Sequence, residues 1–267
     1  MFAEPLGTQP TAEAPFPRLP EPACAATTAN RQFAKVPADL GRAAAAKLKP
    51  GGGAMTIPGL SYTLGRTLYV ALTNRCNSVP LFSTRGPGFQ MPAASGFAPL
   101  PDGVEPSAEQ VAEAVAAAAD VDAVCFAGVG EPLMKLNVLE AAAKLVRAER
   151  PALALRCNTN GLVQETVAQE TAERLATAGL GGVSVALASA DAAEYAALME
   201  PEPLRFSPVF SLKLGHSEVC GFARACVAAG LEVECTAVAA PGVDLAAARA
   251  LSEELGAKGF RERSWHE

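Results

Sequence analysis

Residues 123–146 read AVCFAGVGEPLMKLNVLEAAAKLV. The opening Ala123-Val-Cys-Phe-Ala127 is a short apolar run of strand length, with no alternation, which suits a strand buried on both faces. Gly128-Val-Gly-Glu-Pro132 then breaks it. After Pro132, apolar residues stand at 136, 139, 143 and 146, one face of a helix over Leu136–Ala148. A buried strand leading into an amphipathic helix is the unit of a parallel α/β sheet.

Working outward, the unit repeats. Leu68–Leu72, Leu153–Cys157, Val183–Leu187 and Leu231–Val238 are further strand-like runs, and Gly259–Arg263 is a sixth. Between them lie helical stretches at Glu165–Ala178, Asp191–Met199, Ser217–Ala229 and Asp244–Leu255. Ser107 with Gln110, ahead of Val111 and Val115, makes a capping box that starts another helix. Gly179, Gly230 and Gly256 stand where helices should stop. Eight such units take about 250 residues, and the chain of 267 carries a long non-repetitive beginning. The expected fold is therefore α/β, a partial (β/α)6 TIM-type barrel over residues 61–267, with a flat doubly wound sheet as the alternative.

Residues 1–60 differ in kind. The first fifty carry eight prolines, and Gly51-Gly52-Gly53 follows. Such a stretch buries too little to offset its ordering entropy, so it reads as a largely disordered extension with a short helix near Arg42–Lys47. The expected location is cytoplasmic, with an organelle as alternative if the extension is a targeting segment. Against targeting stand the early acids Glu4, Glu13 and Glu21.

Composition removes several classes. Lys and Arg total 22 against 28 acidic groups, a net charge of −6. That leaves no basic footprint for direct nucleic-acid binding or for a membrane surface. No uninterrupted apolar window is long enough to span a bilayer. Seven cysteines are scattered with no C-x2-C pair, which argues for free thiols in a reducing compartment and against a zinc ribbon.

In parallel α/β folds the chemistry lies in loops after the C-terminal strand ends. Those loops here are Thr73-Asn-Arg-Cys76, Gly128–Pro132, Asn158-Thr-Asn-Gly161, Ala188-Ser189 and Ala239-Ala-Pro241. The connection from Asn74 to about Pro106 is long enough to be functional. In it, Arg85 beside Gly86 and Gly88 can set a cation and free amides near an anion. Gly128 and Gly130 allow close backbone approach, and Glu131 can receive an ammonium group. Asn158 and Asn160, two apart, share a strand face and suit a hydroxyl-rich ligand. Cys125, Cys157 and Cys235 inside strands, with Cys220 and Cys226 inside a helix, read as small core residues.

Taken together, LYVALTNRCN (68–77), CFAGVGEPLMKLNVL (125–139), RCNTNGL (156–162), VSVALASADAAEY (183–195) and AVAAPGVDLAAARALSEELG (237–256) resemble the radical S-adenosylmethionine superfamily, and more closely its TatD-associated branch. The resemblance implies the partial barrel. It also implies a C-x3-C-x2-C loop holding a 4Fe-4S cluster that binds S-adenosyl-L-methionine. Gly128, Gly130 and Glu131 match the motif that meets the amino group of that ligand; Asn158 and Asn160 match polar strand-end positions near its ribose, and Ser184 and Ser189, in the next strand and loop, correspond more loosely. Cys76 matches the first cluster ligand, but the next two positions are Pro80 and Ser83.

The implied function is binding of S-adenosylmethionine or a related nucleoside at the barrel mouth, with the metal half of the motif degenerate. The alternatives are a radical enzyme with unusual or partner-supplied ligands, a metal-free barrel enzyme using Arg85, Glu131 and Lys135, and an adaptor for a TatD-type nuclease.

Overall fold

A computed structural model describes residues 57–202, 204–205 and 211–267. The Pro/Gly-rich stretch before Ile57, including the helix expected near Arg42–Lys47, lies outside the described residues. Leu60 is already core, 3% exposed, and its carbonyl accepts from Ala71 N at 2.8 Å.

The chain forms β1 (Ser61–Leu64), β2 (Thr67–Val70), α1 (Ala108–Ala117), β3 (Ala123–Phe126), α2 (Leu136–Glu149), β4 (Ala154–Thr159), α3 (Glu165–Thr177), β5 (Gly182–Ala186), α4 (Ala192–Met199), β6 (Leu204–Arg205), β7 (Ser211–Leu212), α5 (His216–Ala228), β8 (Glu232–Val238), α6 (Leu245–Glu254) and β9 (Gly259–Arg263). The six expected strands and six expected helices are all present. The short β1, antiparallel to β2, is an addition. The β6–β7 ribbon is a separate pair.

The main sheet has seven strands in the order β1-β2-β3-β4-β5-β8-β9, and every pair after the first is parallel. A doubly wound sheet reverses its strand order partway. None occurs here, so that alternative is excluded. The order runs as in a barrel, but β1 and β9 are not paired with each other, and the sheet stays open.

Local chemistry explains the helix ends. Ser107 and Gln110 form the reciprocal capping box at α1. Asp191 and Asp244 accept from Glu194 N and Ala247 N to cap α4 and α6. Gly179, Gly230 and Gly256 take φ of +95, +80 and +80°, the left-handed turn that ends α3, α5 and α6.

Strand register sorts the side chains. Leu68, Val70, Val124, Phe126, Leu155, Cys157, Val183, Val185, Val233 and Cys235 all belong to the hydrophobic core. Helix α1 packs on α2, α3 on α5, and α6 on β8 and β9. The alternate positions form polar rows across paired strands. Asn158, Ser184 and Glu234 make one row; Ala186, Thr236 and Arg261 make the next, and Val238 with Arg263 follows. The residues that line one shared hollow come from both the first strands and the last, so the sheet curves around it.

Candidate functional site

The hollow lies at the C-terminal ends of the parallel strands and measures about 350 Å³, the size of a small-molecule site. Its wall includes Tyr62, Tyr69, Cys76, Ala127–Glu131, Asn158, Ser184, Ala188 and Thr236, together with Arg85, Phe89 and Arg263. Of the residues singled out from sequence, Cys76, Gly128, Gly130, Glu131 and Asn158 therefore meet at one cavity. Asn160 and Ser189 do not.

Glu131 is 3% exposed and forms the cap of the short turn Pro132–Lys135. Its Oε1 accepts from Leu133 N at 3.0 Å and from Thr159 Oγ1 at 2.8 Å, while Oε2 accepts from Asn160 N at 2.7 Å. Burial pushes the carboxyl up to about 7, against the opposing pull of those three hydrogen bonds. A carboxylate has about four acceptor sites, so one remains for a ligand.

The glycines serve a different purpose from the one expected. A Cβ on Gly130 would run into the carbonyl oxygens of Arg75 and Thr73, and one on Gly128 would come within 2.6 Å of the Ala71 Cβ. Gly130 N donates to Thr73 O at 3.2 Å and Glu131 N to Arg75 O at 2.8 Å. These glycines let the Gly128–Pro132 loop lie against the chain after β2; the close approach is to protein backbone.

Asn160 corrects the pairing with Asn158. Strand β4 ends at Thr159, and Gly161 turns the chain at φ +74°, so the two-residue period stops between the two asparagines. Asn160 is buried behind the Cys76 loop. Its amide nitrogen donates to Asn77 Oδ1 at 2.7 Å and Ser78 Oγ at 3.1 Å, and its Oδ1 accepts from Leu162 N at 2.9 Å. Asn160→Ala should strand those partners and cost about 2 kcal/mol, read from urea unfolding. It should also speed thiol titration of Cys76, and an unchanged rate would show that the loop is held elsewhere.

Ser189 likewise turns away from the cavity. Its hydroxyl accepts from Asp191 N at 2.9 Å and donates to the Glu194 carboxylate, organising the start of α4. Lys135, expected beside Arg85 and Glu131, pairs instead with Glu105 and is not part of the wall.

The Arg85 loop is covered by the chain after β9. Arg85 Nε donates to Ser264 O at 2.9 Å, His266 N to Arg85 O at 2.9 Å, and Gly88 N to His266 O at 3.3 Å. A Cβ on Gly86 or Gly88 would strike the backbone carbonyls of His266 or Glu267. The expected cation is present, but the Gly88 amide is already used and the glycines make room for that segment.

The donor set does not fit an iron–sulfur cluster. Among the described residues Cys76 is the one thiol in the cavity wall, and burial, with Glu131 nearby, raises its pKa. Cys125 and Cys157 are buried within β3 and β4, and burial raises both pKa values. Among the described residues, no three Cys, His, Asp or Glu side chains are grouped to hold a metal ion.

Ser184, expected more loosely, also lines the cavity, whereas Arg263, Tyr69 and Thr236 were not among the expected site residues. Their signal was strand periodicity: paired strands put 186, 236 and 261 in one row, 238 with 263 in another, and 62 opposite 69.

The fold and cavity together define an open, singly wound α/β protein with a small-molecule hollow at its C-terminal strand ends. Among solved structures the chain is similar to SuiB of Streptococcus suis, with TM-score 0.52 and 17% identity over 76% of this chain and 40% of SuiB. It is similar also to SuiB bound to S-adenosylmethionine, with TM-score 0.51 and 17% identity over 76% and 39%. A fainter likeness is to TsrM of Kitasatospora setae, described as a radical S-adenosylmethionine methyltransferase, with TM-score 0.47 and 16% identity over 73% and 34%. At these identities the likeness to SuiB shows a shared fold, and the chain spans about two fifths of SuiB's length. No protein-family model matches the chain, and no curated protein matches it. Among the described residues no helix is long and apolar enough to cross a membrane.

Proposed function

We propose that this protein binds S-adenosylmethionine or a closely related nucleoside in a partial (β/α)6 barrel, without the family's iron–sulfur cluster. One observation carries the reading. Cys76, Gly128, Gly130, Glu131 and Asn158, drawn from three separate loops and strand ends, line one cavity. The shared fold supports it, because SuiB has been crystallised with S-adenosylmethionine bound.

In this reading Asn158 and Ser184 meet the ribose, and the open acceptor site of Glu131 meets an ammonium group. The 4Fe-4S cluster would supply one-electron cleavage of the sulfonium in the family at large. With one thiol among the described cavity residues, those residues offer no tripod to hold it. The resemblance also proposes a TatD-type nuclease as partner, which co-purification of tagged proteins would test.

The experiment is isothermal calorimetry with S-adenosylmethionine on anaerobically prepared protein, alongside iron and sulfide analysis. Saturable heat is expected, with affinity about tenfold weaker in Asn158→Ala, the loss of roughly one hydrogen bond to the ligand. Iron should stay far below one cluster per chain after reconstitution. No heat with millimolar ligand, or an unaltered affinity in Asn158→Ala, would remove the reading. Stoichiometric iron lost in Cys76→Ala would favour a true cluster enzyme.

A further inference from the structure

From the arginines that border the cavity on the side of β9, we infer a second binding subsite, for an anionic group of a small molecule held between Arg85 and Arg263. This goes beyond nucleoside binding and does not depend on it.

Arg85 and Arg263 come from opposite ends of the folded chain and line the same cavity. Among the described residues neither makes an ion pair with a carboxylate, although Arg66, Arg174, Arg249 and Arg261 all do. Glu234, on the strand paired with β9, is engaged. Its Oε1 accepts from Arg261 at 2.6 Å, and its Oε2 accepts from Ser184 Oγ at 3.4 Å. Glu131 is held by its own three donors. Two half-buried guanidinium groups thus face one hollow; of those acids only Glu234 pulls on either of them, on Arg263, and from a carboxylate already bonded to Arg261.

The arrangement is built rather than incidental. Arg85 is fixed through Nε to Ser264 O and lies 4.5 Å over the Phe89 ring. That leaves its terminal nitrogens free of hydrogen bonds to described residues. Arg263 follows Arg261 at strand spacing, so both fall on the concave side. Burial, then the charge of Arg263, lowers the pKa of Arg85; burial, then Arg261, lowers that of Arg263. An anion relieves both. A planar fork of donors suits carboxylate and phosphate alike. The neighbouring wall is aromatic: Tyr69 stacks on Tyr62 at 5.0 Å. The ligand is therefore an organic carboxylate or a phosphate ester.

The chain supplies its own reporter, since its single tryptophan, Trp265, stands two residues after Arg263. The test is a fluorescence titration of the full chain with inorganic phosphate and, separately, with benzoate, at constant ionic strength set by sodium chloride. One probe should give a saturable change with a midpoint of about 1 mM or tighter, and which one does so assigns phosphate or carboxylate. Arg85→Gln and Arg263→Gln should each weaken that midpoint about tenfold, the scale of one charge-assisted contact. Arg263→Lys should fall between, and Lys258→Gln, a surface pair with Glu232, should match wild type. Each variant is first checked for an unchanged melting curve. A linear response to both probes, or a midpoint indifferent to both arginine variants, overturns the subsite. So does displacement of the anion by S-adenosylmethionine, which would assign the arginines to the nucleoside's own carboxylate. Absence of calorimetric heat with S-adenosylmethionine, with the anion still bound, would sink the nucleoside reading alone.

Discussion

Gly130→Ala is expected to destabilise the protein by about 3 kcal/mol or more, because overpacking against rigid neighbours leaves little room to relax. The new methyl would meet the carbonyl oxygens of Thr73 and Arg75, and neither can rotate away as a side chain would. The same shift breaks the bonds from Gly130 N and Glu131 N that tie the two loops together. Ligand affinity should fall with stability, since Cys76 and Glu131 sit on those loops. The control is Gly221→Ala, in the interior of α5, where nothing beyond the chain neighbours and the helix's own backbone lies within 4 Å of the added carbon, which should stabilise by about 0.5–1 kcal/mol through helix propensity. Urea unfolding of the pair reads both. A Gly130→Ala midpoint equal to wild type would mean that the loops do not meet as described.

The second large effect is on pH dependence. Glu131 ionises near 7 in the folded protein against an ordinary 4.5. A carboxyl whose folded value is raised favours folding in its protonated form. Its contribution is complete below about pH 4.5 and is lost as pH climbs through 7. A displacement of this size corresponds to about 3 kcal/mol. The difference in unfolding free energy between wild type and Glu131→Gln should therefore move by about 3 kcal/mol between pH 5 and 8, with wild type losing ground on the alkaline side. Every other titrating group is common to both proteins and cancels. A difference that stays flat with pH would place Glu131 in contact with solvent, or with a counter-charge that keeps it ionised.

The architecture was legible because its determinants are local. Unbroken apolar runs gave β3 and β5, Ser107 and Gln110 gave α1, and glycines marked three helix ends. The cavity was half legible. Cys76, Glu131 and Asn158 face it because each is at a strand end or in a loop that the sheet aims at the hollow. Asn160 and Ser189 lie outside the cavity wall for separate reasons: the two-residue period that paired Asn160 with Asn158 stops at Thr159, the last strand residue, and Ser189, expected from the resemblance, follows Ala188, whose φ of +61° turns the chain just before it. The glycines of the Gly128–Pro132 loop were recognised as allowing close approach, but what they admit is the Ala71–Arg75 segment, more than fifty positions earlier in the chain, a long-range fact that spacing does not encode. Arg263 was overlooked because a charged residue in a short last strand reads as an exposed edge until Val238, its register partner, is known to border a hollow.

The curvature that lets Tyr62 and Arg263 border one hollow has a bearing on biosynthesis. A nascent chain paused on the ribosome before β9 emerges already owns the loops that carry Cys76, Glu131 and Asn158, yet has neither Arg263 nor the segment that clasps Arg85. A ligand held by both arginines would therefore stabilise only a chain in which β9 has docked, and could not guide the strands before it into place.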